Sequence, residues 1–211
     1  MSDAPADRYT HGHHRSVLES HRTRTAADSA AYLLPRLRAG QRLLDVGCGP
    51  GTVTVDLAAA VAPGEVVALD REASILHEVA NLAQERGSTN LTTTVGDVYA
   101  LEFEDAGFDI VHAHQLLQHL SDRVAALRVM RRVTRAQGVV AVRDADYAAM
   151  TWYPREPLME RWLEIYRAVA RANGAEPDAG RRLFSWAQAA GFSKLEPSAS
   201  VWVFADPERR A

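Results

Sequence analysis

The sequence predicts an α/β fold: a doubly wound, mostly parallel sheet with helices on both faces. Three observations carry this. Short apolar runs alternate with helical stretches from Arg42 onward. The first run ends in an acid and three alternating glycines, "LLDVGCGPGT" at residues 43–52. A second acid closes the second run, "EVVALD". Strands separated by helices form βαβ units, and these build parallel sheets.

The elements follow in order. "SVLESH" (16–21) and "TAADSAAYLLPRL" (25–37) read as two helical pieces, with Gly40 as the stop behind the second. "RLLDV" (42–46) is the first strand and "TVTVDLAAAV" (52–61) the helix after it. "EVVALD" (65–70) is a strand, and "SILHEVANLAQERG" (74–87) a helix with Ser74 as N-cap and Gly87 as its end. "LTTTVGD" (91–97) and "FDIVHAH" (108–114) are the third and fourth strands. "SDRVAALRVMRRVT" (121–134) is a helix with Val124, Leu127 and Met130 on its apolar face, and "GVVAVRD" (138–144) the fifth strand. An extra helix, "PREPLMERWLEIYRAVARANG" (154–174), interrupts the series. "AGRRLFSWAQAAG" (179–191) resumes it as a helix, and "SASVWVF" (198–204) reads as a sixth strand.

The composition sets bounds. A chain of 211 residues with 47% hydrophobic and 24% charged residues suits one soluble α/β domain. The formal net charge of -3 gives no pull toward nucleic acid or an anionic membrane. The basic run Arg131, Arg132, Arg135 reads as a solvated helix face. Cys48 is the only cysteine, which excludes an intrachain disulfide and fits a reducing compartment. No window approaches the ~18 apolar residues of a membrane-spanning helix. The N-terminus lacks the apolar centre of a signal peptide, so a cytoplasmic protein is expected.

The glycine loop poses a choice of ligand. A glycine-rich turn between a strand and a helix lets a ligand approach the backbone closely. The dinucleotide fingerprint is G-x-G-x-x-G. Here Gly47, Gly49 and Gly51 alternate, so the third glycine comes one place early, and Thr52 stands in its position. Asp45 just before the loop suits an ammonium group better than a pyrophosphate. Asp70 is placed for ribose hydroxyls.

Acid-x-G-x-G-x-G after the first strand, an acid after the second and "GD" after the third closely resemble the class I S-adenosylmethionine-dependent methyltransferases. "LLDVGCGPGT", "ALD", "VGDV" and "FDIVHAHQLLQHLSD" keep that register over roughly residues 40–145. The subgroup most resembled includes the ubiquinone and menaquinone biosynthesis C-methyltransferases and many natural-product methyltransferases. The resemblance implies a Rossmann-like fold and S-adenosyl-L-methionine as cofactor. By position it implies that Gly47, Cys48, Gly49 and Gly51 line the methionine part and that Asp45 helps hold its amino group. Asp70, with Arg71 beside it, meets the ribose. Gly96, Asp97 and Val98 meet the adenine, and His114 lies near the sulfonium. The competing reading for each aspartate is a helix N-cap or turn residue. Cys48 as a nucleophile is rejected, since no Cys/His partnership fits the spacing.

The chain then divides into N-terminal lid helices (1–39), a cofactor-binding core (40–149), a cap insertion (150–177) and a terminal helix and strand (178–211). His114, His13, His14 and Asp146, in that order, are candidates for a general base. Tyr9, His13 and His14 would belong to a lid at the substrate entrance. "HGHHRSVLESH" lacks the ligand spacing of a metal site, and no metal is expected. "RDADY" places Asp144, Asp146 and Tyr147 on the crevice side. Trp162 and Tyr166 read equally as core and as substrate cap. The expected partner is a small-molecule methyl acceptor, with no nucleic acid and no membrane; a homodimer is compatible with the sequence.

Two rivals stand beside this reading. One is a nicotinamide-dependent oxidoreductase; the other is a protein of the same fold that binds S-adenosylmethionine without transferring a methyl group. One departure from the family pattern stands out. The family sheet has seven strands, whereas six are read here, so the C-terminal strand is missing. A truncated form and a loosely packed region around Trp202 are the corresponding expectations.

Overall fold

The structure is a computed structural model and describes residues 21–205. Five strands form one parallel sheet: β1 (Leu43–Val46), β2 (Val66–Asp70), β3 (Leu91–Val95), β4 (Phe108–His114) and β5 (Thr134–Arg143), in the order β3-β2-β1-β4-β5. The helices are α1 (Ala26–Ser29), α2 (Thr52–Val61), α3 (Ala73–Glu85), α4 (Arg123–Val133), α5 (Pro157–Ala172) and α6 (Leu183–Ala189). Strand order reverses between β1 and β4, so the crevice opens at their carboxyl ends.

Side-chain alternation divides the core into two layers. Leu44, Val46, Val111 and Ala113 point to one face and pack against Leu127 and Met130 of α4 and Ala190 behind α6. Leu43, Val66 and Ile110 point to the other and pack against Ala26 of α1, Leu33, and Leu57 and Val61 of α2. Ala68 on that second face meets Leu76 and Val79 of α3. Asp45, His112 and His114 share the parity of Leu43 and Ile110, so all three face the α1–α2 side.

Several sequence-based expectations need correction. The stretch 25–37 is not one helix. Thr25 caps α1 and exchanges hydrogen bonds with Asp28, but α1 ends at Ser29 and a 3₁₀ turn follows at Leu34–Arg36. Pro35 has no N–H to donate one turn back, which stops an α-helix from running through. Helix α3 starts at Ala73, before Ser74, because Asp70 Oδ1 accepts the Glu72 N–H at 3.1 Å and sets the turn early. Strand β5 starts at Thr134, directly behind α4, with a register shift against β4 between Phe108 and Ile110.

The largest correction concerns "SASVWVF". Its alternation is that of a strand, yet residues 193–205 join no sheet, and no backbone hydrogen bond from them is found among the described residues. Side chains hold the segment instead. Glu196 pairs with Arg36, Ser200 Oγ accepts from Arg143 Nε at 3.1 Å, and Trp202 Nε1–H donates to the Asp28 carbonyl at 3.1 Å. The Trp202 side chain is therefore anchored, while Val201, Val203 and Phe204 around it stay exposed, as expected of a loosely packed region, and β5 is left as a sheet edge. The candidate lid residues Tyr9, His13 and His14, and "SVLESH" up to Ser20, lie outside the described residues.

Arg131 and Arg132 are exposed on α4, as a solvated helix face should be, whereas Arg135, also exposed, lies on β5 rather than on the helix. Arg131 lies over the Phe192 ring, Arg132 pairs with Asp105 at 2.7 Å, and Arg135 with Asp109 at 2.5 Å. No helix among the described residues is long and apolar enough to cross a membrane. No group of three or more His, Cys, Asp or Glu among them could hold a metal ion.

Candidate active site

The loop after β1 is pinned to the end of β2. The Gly47 and Cys48 N–H groups both donate to the Leu69 carbonyl, at 2.7 and 3.1 Å. Asp70 Oδ2 accepts the Gly49 N–H at 3.1 Å. Gly47, Gly49 and Gly51 all take positive φ, at +71°, +53° and +81°. Two of them show why glycine is required. A Cβ on Gly51 would lie 2.9 Å from Val79 side-chain carbons, so α2 and α3 meet there without room for a side chain. A Cβ on Gly49 would meet nothing within 4 Å, so its open side forms a wall of the crevice.

Beneath the loop lies a buried polar network. Register sets Asp45 of β1 directly beside His112 of β4. His112 Nδ1–H donates to Asp45 Oδ1 at 2.7 Å, and Thr54 Oγ1–H of α2 donates to Asp45 Oδ2 at 2.6 Å. Asp45 is 2% exposed and His112 is fully buried. His112 Nε2 is enclosed with no protein partner, and His112 lines the crevice. With the proton on Nδ1, that Nε2 is an acceptor waiting for a donor.

The crevice runs from Asp70 and Arg71 past the glycine loop to His112, His114 and His119, with His21 and Arg24 on its rim. Both ring nitrogens of His114, which also lines the crevice, are enclosed and unpartnered. Burial first, then the neighbouring guanidiniums of Arg24 and Arg143, pushes the His114 pKa down to about 2. His114 is therefore a neutral imidazole. Its ring centroid lies 5.9 Å from that of Trp202, whose own ring sits beneath the guanidiniums of Arg143 (4.5 Å) and Arg24 (5.3 Å).

The remaining sequence-predicted residues fall as follows. Burial and then the carboxylates of Asp45 and Asp70 push the Cys48 thiol far up, which keeps it protonated. Gly96 N–H donates to the Asp70 carbonyl at 3.0 Å. Asp97 N-caps a 3₁₀ turn by accepting the Tyr99 N–H at 2.9 Å, and the Val98 side chain is buried in the core. Asp146 is held by Arg181 at 2.7 Å. Tyr147 packs against Tyr166 (ring centroids 4.4 Å apart), and Trp162 stacks on Tyr166 at 5.7 Å. These aromatics tie α5 of the insertion to the carboxyl end of β5. Asp178 adds to the tie, accepting from Arg167 (2.6 Å), Arg171 (2.5 Å) and the Ala148 N–H (2.9 Å).

Four residues have more prominent places than sequence reasoning assigned to them. His112 shares strand parity with His114, but only the β1–β4 register pairs it with Asp45. Asp144 follows β5, accepts the Gln118 N–H at 2.9 Å through Oδ1, and keeps Oδ2 enclosed without a partner. Burial pushes its carboxyl up to about 7, against the lowering effects of the Gln118 N–H, Arg143 and Arg123. Arg143 and Trp202 come together only through the tertiary path of residues 193–205.

Comparison with known proteins agrees with this geometry. A family model described as "Methyltransferase domain" matches residues 37–191. An uncharacterised methyltransferase of Schizosaccharomyces pombe is 37% identical over 211 residues, covering 96% of this chain and 75% of the relative. A demethylmenaquinone methyltransferase of Roseiflexus castenholzii is 34% identical over 143 residues, covering 65% of this chain; the chain spans only 56% of that relative's length. Among solved structures, phosphoethanolamine N-methyltransferase 2 of Haemonchus contortus, in complex with S-adenosylhomocysteine, aligns with a TM-score of 0.62 at 22% identity. That alignment covers 79% of this chain and 37% of the other.

Proposed function

Because this chain belongs to the methyltransferase domain family, we propose that it moves a methyl group from S-adenosylmethionine to a small-molecule acceptor, with the cofactor in the glycine-loop crevice and the acceptor on the His114 side. The observation that carries the placement is the pinned loop beside the unpartnered His112 Nε2.

The chain's residues fit such a cofactor at three points. The open side of Gly49 admits a ligand against the backbone. Asp70 spends one lone pair of each oxygen on backbone N–H groups, which leaves the others for two ribose hydroxyls. His112 Nε2, oriented by Asp45, can accept an N–H from the ammonium group. Asp45, buried and engaged by Thr54 and His112, serves the ammonium through His112 in this reading.

S-adenosylmethionine supplies an electrophilic methyl group on a sulfonium that leaves as a neutral thioether. The protein's task is then to hold the acceptor in line with that methyl group. His114, kept neutral, adds no positive charge to the site of a cationic ligand. The same environment makes it a weak proton acceptor, so we assign it to orienting the acceptor by hydrogen bonding. Asp146, engaged by Arg181, is a poor base as well. A protein of this fold that binds the cofactor without turnover remains the rival reading.

Calorimetric titration with S-adenosylhomocysteine, with NADH as comparison, tests the cofactor. Micromolar binding of the first and none of the second is the expected result. Binding of NADH alone would overturn the proposal. Methyl transfer to any member of a small-molecule panel would then separate the enzyme from the silent binder.

A further inference from the structure

The segment 193–205 passes beside the crevice and sets the Trp202 ring against His114, one of its lining residues. Trp202 lies against His114 and beneath two guanidiniums, and its indole N–H reaches Asp28. Its chain neighbours turn away: Val201 is 84% exposed and Val203 60%. A core segment would bury such residues, so Trp202 alone makes the contact. Among the described residues the segment has no strand pairing, and side chains at Glu196, Ser200 and Trp202 anchor it. An aromatic ring held this way can leave without breaking the sheet.

The fit is good in shape and poor in polarity. A flat ring under Arg143 and Arg24 gains from its electron-rich face. Yet the indole's only donor points to Asp28, and both His114 nitrogens stay enclosed without a partner. Buried polar groups of this kind are ordinarily satisfied. The ring that completes this slot therefore carries a donor or acceptor where Trp202 presents only carbon to His114.

We propose that Trp202 is an internal plug in the methyl-acceptor subsite, standing in for a flat aromatic acceptor that carries a hydroxyl group directed at His114. This rests on the methyl-transfer reading above, because it takes the slot beside the cofactor crevice to be the acceptor's. The hydroxyl would donate to a ring nitrogen of His114, and the two guanidiniums would cover the ring. Binding of the acceptor requires the segment to swing out, so the plug also restrains turnover when no acceptor is present.

The test uses the full chain saturated with S-adenosylhomocysteine and two probes that differ by one hydroxyl, 5-hydroxyindole and indole. Trp202→Ala empties the slot. It should bind 5-hydroxyindole at least about tenfold more tightly than the wild type does, and about tenfold more tightly than it binds indole, the scale of one hydrogen bond to a buried group. Adding His114→Ala should remove the preference for the hydroxyl. Trp202→Phe keeps a ring in place and should bind the probes as weakly as the wild type, which supplies a second comparison should the alanine variant fold poorly. Equal probe binding by the wild type and Trp202→Ala, with S-adenosylhomocysteine still bound by both, would overturn the plug. Retention of the hydroxyl preference without His114 would overturn the assigned contact. Failure of the wild type to bind S-adenosylhomocysteine would instead strike the cofactor reading beneath both.

Discussion

Replacing Asp144 by Asn should make the protein's stability less dependent on pH, with a magnitude that follows from the site. The Asp144 carboxyl is pushed up from 3.8 to about 7, chiefly by burial, and its Oδ2 has no partner. A carboxyl whose folded pKa is raised binds its proton more tightly in the folded state. Between the two pKa values the folded state holds more protons, so stability falls as pH rises through that window. Above about 7 the loss is complete, at most about 4 kcal/mol at ~1.4 kcal/mol per pKa unit. Between pH 5 and pH 8, the same linkage gives a fall of about 2.5 kcal/mol. Asn has no such titration, and its amide oxygen can still accept the Gln118 N–H. The gap between Asp144→Asn and the wild type should therefore widen by about 2.5 kcal/mol from pH 5 to pH 8, or roughly 5–10 °C in melting temperature for a chain of this size. Denaturant melts and thermal scans of both proteins at the two pH values provide the comparison. A stability difference, Asn variant minus wild type, that stays constant or falls toward pH 8 would refute the assignment of an enclosed carboxyl oxygen without a partner.

Three further outcomes are expected. Gly51→Ala forces a side chain into φ +81° and against Val79 at 2.9 Å; it should lower stability by about 1–3 kcal/mol and weaken S-adenosylhomocysteine binding in calorimetry, since the helix start and loop move together. Asp70→Ala removes the acceptor of the Gly49 and Glu72 N–H groups; binding of S-adenosylhomocysteine should fall at least about tenfold, and the melting temperature by a few degrees. Asp178→Ala releases Arg167, Arg171 and the Ala148 N–H; a loss of roughly 2–3 kcal/mol should appear in denaturant melts, with faster amide exchange along α5. Burial by itself would raise the Asp178 carboxyl, but Arg167 and Arg171 hold it below the usual range. Its contribution is accordingly present above pH ~4 and lost as pH falls through the lowered folded value.

The alternation of apolar runs and helices made the sheet and its parallel sense legible, because each βαβ unit is a local pattern. The glycine loop was legible for the same reason: three glycines between a strand and a helix demand positive φ, and all three have it. What escaped is what depends on register between distant segments. The pairing of Asp45 with His112 spans 67 positions and exists because β4, not β3, lies beside β1. "SASVWVF" reads as a strand by propensity, but propensity is weak when no edge receives the segment in register. Trp202 went instead to Asp28, 174 positions away. The stretch 25–37 shows a local signal passed over, since Pro35 alone forbids a continuous helix.

Parity along β4 explains why the two ends of the crevice differ in character. His112 and His114 point to the same face, two residues apart on one strand. His112 lies deeper, beside β1, and there the register offers it a carboxylate. His114 lies at the strand end, where its neighbour on β5 is Arg143. One imidazole is thereby oriented by an acid, while the other is kept neutral first by burial and then by the guanidiniums it faces. The first suits a cationic ligand group, and the second suits a neutral donor. A sulfonium cofactor on one side and a hydroxylated acceptor on the other would be sorted by this difference alone, before any contact from the insertion or the segment 193–205 is added.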